Sequence, residues 1–168
     1  MIYTYSHLED NVTGIYSKIG ISDPHELTIE NVSEKLGVTV MHGLVSSRAM
    51  QYGKEKVIIL DLRLKKEKRW PVFCHEVGHL LQQAGNQLNM PNPFRIYQEW
   101  KANSFMYHFS IPTFMLQEMH LPKDINNATV TVAKTFNVSY SFAYKRLTRF
   151  FNKIYANELI YKKELIHS

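Results

Sequence analysis

The chain has 168 residues, the size of one ordinary domain or of one domain with a small appendage. Hydrophobic residues make up 45% and charged residues 21%, a globular composition that excludes wholesale disorder. The formal net charge is +5 and unevenly placed: residues 1–120 hold 12 basic and 12 acidic side chains, whereas residues 121–168 hold 8 basic and 3 acidic.

The opening MIYTYSHLED has neither a basic n-region nor an apolar h-region, so the reading is a cytoplasmic protein. No apolar run approaches the ~20 residues of a membrane span, so no membrane association is expected. Residues 5–20 read as a first helix, with Leu8, Val12, Ile15, Tyr16 and Ile19 at helical spacing. A second fits Ile29–Leu36, closed by Gly37 as a left-handed cap. Val38–His42, Leu44–Ala49 and Val57–Leu62 then read as three strands punctuated by Gly43 and Gly53, a small antiparallel meander. Asp61 and Arg63 read as a solvated edge, and the basic run from Arg63 to Arg69 as a solvated linker.

Helical period returns at Trp70, with Pro71 in a first turn, and is expected to run to Gln83 and end at Gly85. Asn86–Pro93 reads as a loop. Further helices fit Arg95–Ser110, Pro112–His120, Ala128–Phe136, Ser139–Phe151 and Ala156–Ile166. The expected fold class is α+β: a small antiparallel meander packed by helices, then a helical, helix–turn–helix-like module. The expected domains are residues 1–120 and 121–168.

The chemistry concentrates in His75-Glu76-Val77-Gly78-His79, an HExxH pattern. Histidines at i and i+4 project from the same side of a helix, so both imidazoles can reach one metal. The Glu between them can take a proton from water that the metal activates. Phe73, Val77, Leu80, Leu81 and Ala84 share the apolar face, with His75 and His79 roughly opposite. Cys74, the single cysteine, points elsewhere and reads as a small core residue.

A catalytic zinc takes three protein ligands and keeps one position open. Glu99, twenty positions after His79 in the next helix, is the expected third ligand. Its helix is apolar nearly all round, which predicts burial, and a buried carboxylate needs a partner or a metal. The competing reading is a helix-start glutamate stabilised by the dipole. Glu99, Asn103 and Tyr107 form one stripe. Asn103 can orient a ligand histidine or bond to backbone. Tyr107 and His108, and on the meander His42 and Tyr52, are candidates to steady a developing oxyanion. Gly78 permits close approach of another backbone or a substrate.

HEVGHLLQQAG followed by EWKANSFMYHFSIP resembles the ImmA/IrrE family of metallopeptidases, of the gluzincin type. The matching elements are the HExGH core, then Glu99, Ala102, Asn103, Phe105 and Pro112. Met106 departs from the usual small residue, and Lys101 from a neutral or acidic one. The resemblance implies one zinc per chain on His75, His79 and Glu99, with Glu76 as catalytic base. It also implies a protein substrate, a helix–turn–helix repressor of a phage or mobile element, whose cleavage relieves repression. The alternative is a DNA- or repressor-binding transcriptional regulator with a structural or vestigial metal site.

In the tail, Val130–Phe136 and the helix after Asn137-Val138-Ser139 read as a helix–turn–helix pair, with Ser139 as N-cap. Lys145, Arg146, Arg149 and Lys153 crowd the second helix. They read as a solvated basic face, a protein-docking surface, or a site of weak nucleic-acid contact.

Overall fold

The computed structural model describes residues 3–82 and 92–166. Helix α1 (His7–Ile19) starts on a capping box: Ser6 accepts from the Glu9 N–H while Glu9 accepts from the Ser6 N–H. Helix α2 (Ile29–Leu36) is N-capped by Thr28 and ends at Gly37, whose φ of 65° is left-handed as expected. Strands β1 (Val38–Gly43), β2 (Arg48–Tyr52) and β3 (Glu55–Asp61) follow.

The sheet corrects the expected antiparallel meander. Its order is β1-β3-β2; β1 pairs with β3 in parallel, and only β2 and β3 are antiparallel. The physical reason lies in β3. Its run Val57-Ile58-Ile59-Leu60 is apolar throughout, and Ile58 and Leu60 are buried. The most apolar strand takes the centre, so the chain crosses from β1 to the far edge before returning through the Gly53 hairpin. The second strand accordingly lies later than expected, at Arg48–Tyr52 rather than Leu44–Ala49.

Helix α3 (Lys66–Gln82) begins earlier than expected and places Pro71 inside rather than in its first turn. Lys66, Glu67, Lys68 and Arg69 are good helix formers, so much of the expected linker is helical. One intrahelical bond is lost at Pro71. The expected end at Gly85 and most of the Asn86–Pro93 loop lie outside the described residues. Helix α4 (Asn92–Ser110) runs back against α3: the Trp70 indole N–H donates to the Ser110 carbonyl at 3.2 Å, while Glu99 meets His79 at the other end.

Helices α5 (Thr113–Glu118), α6 (Ile125–Thr135) and α7 (Tyr140–Ile166) complete the chain. The turn between α6 and α7 carries Asn137 at φ 51°, and Ser139 caps α7 by accepting from the Phe142 N–H at 3.3 Å. The two helices expected over 139–151 and 156–166 are one 27-residue helix. Nothing between them, in Asn152-Lys153-Ile154-Tyr155, breaks a helix.

One apolar core runs through the whole architecture. It joins Tyr16 of α1, Ile58 of β3, Phe73 and Val77 of α3, and Phe105 and Phe109 of α4 to Val132 of α6 and Leu147 and Phe150 of α7. Cys74 is buried in it, as expected. Among the described residues, no helix is long and apolar enough to cross a membrane.

Candidate metal centre

Two antiparallel helices build the site, and a glycine sets their spacing. A Cβ on Gly78 would lie 3.0 Å from Phe105 Cδ1 and 3.5 Å from the Ala102 Cα. The absent side chain thus lets α4 lie against α3, the close approach that the sequence anticipated at this position.

This contact brings His75, His79 and Glu99 together. His75 Nε2 and His79 Nε2 face each other at 2.9 Å, and each lies beside the Glu99 carboxylate, at 3.4 Å and 3.3 Å. The three form the metal-competent group, with donor atoms all within 4.8 Å of one another. Tetrahedral zinc with ligand bonds of ~2.0–2.1 Å sets its donors about 3.3–3.4 Å apart, the separation of Glu99 from either ring. Burial first, then the neighbouring His79, hold His75 below its ordinary pKa, in the neutral form that ligates metals. The Asn103 side chain hydrogen-bonds His75. Two imidazole nitrogens and a carboxylate oxygen are donor types that zinc takes, and they converge at these distances, so the donor set fits zinc.

Glu76 stands beside this trio without joining it. It is 7% exposed, and burial pushes its carboxyl up to about 7, against the opposing pull of His79 and of the Ala49 backbone N–H. That N–H belongs to edge strand β2, so the sheet edge lies against the Glu76 carboxylate. Sequence reasoning missed this contact, because a backbone N–H carries no residue signature.

Other expectations are corrected. Glu99 is 46% exposed, not buried. Only one face of α4 packs inward, through Gln98, Ala102, Phe105, Phe109 and Ser110, while Phe94, Ile96, Tyr97 and Trp100 remain exposed. Its composition suggested burial all round, but no described element covers its first turns. Tyr107 stacks on Phe142 of α7 at 4.5 Å. His108 is turned toward Glu9 of α1, with Nδ1 3.8 Å from the carboxylate. His42 is exposed on β1, the edge away from β2, and Tyr52 is exposed at the end of β2.

A second polar cluster went unread in the sequence. Glu9 is buried at the junction of α1, α5 and α7. It accepts from the hydroxyls of Tyr3, Ser6 (2.7 Å) and Thr113 (2.7 Å), and pairs with Lys153. Burial alone would raise its pKa, but the Lys153 ammonium, the Tyr3 hydroxyl and Ser6 hold it well below the usual range. Arg146 is fully buried beside it, donating to the Ile111 carbonyl at 3.1 Å and to Thr113 Oγ1 at 2.8 Å. Arg146 therefore does not belong to a solvated basic face. Its apolar neighbours Ala143, Leu147 and Phe150 were the available signal.

Comparison with known proteins shows the family of this chain. The family model described as peptidase M78, IrrE N-terminal-like domain, matches residues 33–148. The phage-like element PBSX protein XkdA of Bacillus subtilis is 39% identical over 145 residues, 86% of this chain and 73% of that protein. The uncharacterized protein YqaB of Bacillus subtilis is 38% identical over 154 residues, 92% of this chain and 90% of its own length. A solved structure of a Mycobacterium tuberculosis transcriptional regulator shares the fold, with a TM-score of 0.57 over 83% of this chain at 14% identity. This chain spans 46% of that larger one. With a metal-competent HExxH helix, a matching family model and two relatives near 40% identity, the chain belongs to the peptidase M78 family of IrrE N-terminal-like, or ImmA/IrrE, proteins.

Proposed function

We propose that this protein is a zinc-dependent endopeptidase that cleaves a specific protein partner, a helix–turn–helix repressor of a phage or mobile element, and so relieves repression. One observation carries the reading: a buried glutamate, Glu76, stands beside a three-donor cluster of which it is not a member. A purely structural site would need no such base.

His75, His79 and Glu99 would hold the zinc, one ion per chain. When bound, zinc supplies a Lewis acid that polarises the scissile carbonyl and acidifies water. Glu76 takes the proton of the attacking water and delivers it to the leaving amine. Asn103 orients the His75 ring. Strand β2 is a sheet edge, and a substrate segment pairing along it would lie beside Glu76. Catalysis belongs to residues 1–120, and the helical, helix–turn–helix-like module of 121–168 docks the partner. The phage-element relative supports a mobile-element setting for the substrate.

The test is co-expression with the helix–turn–helix repressor encoded beside this protein, followed by immunoblot. Wild type should deplete the repressor and Glu76→Ala should not. Equal depletion by both, or by neither, overturns the proposal.

A further inference from the structure

Two of the tail's basic side chains, Lys145 and Arg149, meet at the seam between α4 and α7. Lys145 Nζ lies 5.2 Å from the Tyr107 ring centroid, and the Arg149 guanidinium 4.6 Å from it. Phe142 stacks on the same ring at an interplanar angle of 15°. Two cations four residues apart on one helix repel each other, yet both converge on a single aromatic ring.

No carboxylate among the described residues forms an ion pair with either cation. The acid near the seam is Glu9, already engaged by Lys153, Tyr3, Ser6 and Thr113. Arg146 and Lys153 add further positive charge, and burial, ahead of these cations, keeps His108 uncharged. Lys145 and Arg149 are exposed, so their open side faces solvent with its charge uncompensated.

The seam connects to the metal centre along one helix face. Glu99, Asn103 and Tyr107 follow at i, i+4 and i+8 on α4, and exposed Asn103 bonds His75. Eight residues of helix advance about 12 Å. An extended peptide covers that distance in about three to four residues.

We infer that Tyr107, Lys145 and Arg149 form a docking site for acidic side chains of the protein substrate, about three to four residues from the scissile bond. This rests on the proteolytic reading for its biological meaning, but the binding itself requires neither zinc nor Glu76. Charge complementarity of this kind selects partners and speeds encounter.

The experiment is a fluorescence-anisotropy titration at low ionic strength. The probe is a fluorescein-labelled peptide of glutamates spaced by Gly-Ser, compared with a labelled 12-base-pair DNA duplex. Wild type and Glu76→Ala should bind the peptide equally. Lys145→Glu/Arg149→Glu should weaken it at least about fivefold, the combined effect of two exposed charge contacts, and Lys145→Ala/Arg149→Ala should weaken it less. Lys123→Glu/Lys134→Glu, the same change of net charge away from the seam, should have little effect. Circular dichroism melting verifies that each variant is folded. Unchanged peptide binding in both seam variants, an equal loss in the control, or tighter seam-dependent binding of the duplex overturns the inference. Failed cleavage with intact Glu76-independent peptide binding would instead reject the proteolytic reading alone.

Discussion

Glu76 is a buried and His108 a half-buried titratable side chain on adjacent helices, and their surroundings give them different consequences. On the proposed proteolytic reading Glu76 is the base, so Glu76→Gln should lower cleavage by about a hundred- to ten-thousand-fold while leaving metal content unchanged. His108 lies among Glu9, Arg146, Arg149 and Lys153, and burial first, then Arg146, depress its pKa to about 3. Below the ordinary imidazole range the unfolded chain therefore takes up a proton that the folded chain refuses. The stability this neutral ring contributes is complete above pH ~6.5 and is lost as pH falls toward 3. Glu9, depressed from a lower starting point, adds its own loss at more acid pH. His108→Gln should flatten the fall in stability between pH 6.5 and 4.5, measured by urea denaturation at stepped pH. An unchanged slope would contradict the assignment. At this scale the meeting of His75, His79 and Glu99 was legible, because i, i+4 histidines and a returning helix dictate who can meet. Ala49 was not, since its contribution is backbone. Nor was the burial of Arg146, because its charge signals surface while its apolar neighbours Ala143, Leu147 and Phe150 carry it into the core.

At the scale of elements, the contact of α3 with α4 carries the site. Phe105 is fully buried, so it has little room to retreat from a side chain at position 78. Gly78→Val should cost about 1–3 kcal/mol through overpacking. It should also weaken zinc binding, because it moves Glu99 relative to the histidines. Urea denaturation and a zinc competition titration check the two effects. The α1 and α2 boundaries were readable from caps and apolar period, and the Gly53 turn from its glycine. The parallel pairing of β1 with β3 was not, because strand order follows which strand the core claims. The alternation within a strand cannot show that Ile58 and Leu60 will sit at the centre. The same limit explains α4: its apolar residues announced a helix with much to bury, but not that Trp100 would be 63% exposed.

Across the whole molecule, buried polar bonds fasten the C-terminal helix to the rest. Arg146 of α7 reaches Ile111 and Thr113, and Lys153 of α7 reaches Glu9. Removing the guanidinium takes the donor from the buried Ile111 carbonyl and one partner from Thr113, so Arg146→Ala should destabilise the protein by about 1–3 kcal/mol. Because the apolar core is continuous through α7, the loss should appear in one cooperative transition monitored by both near- and far-ultraviolet circular dichroism. Sequence placed the tail's net charge correctly but could not separate its uses: Arg146 and Lys153 hold the fold together, whereas Lys145 and Arg149 face outward. The proposed activity depends on one metal centre formed by His75, His79 and Glu99, with Glu76 beside it. The most direct test is zinc content per chain, by plasma mass spectrometry after dialysis against trace metal. Wild type and Glu76→Gln should each retain one zinc, and His75→Ala and Glu99→Ala should lose it. A full zinc complement in His75→Ala, or its loss in Glu76→Gln, would contradict the account.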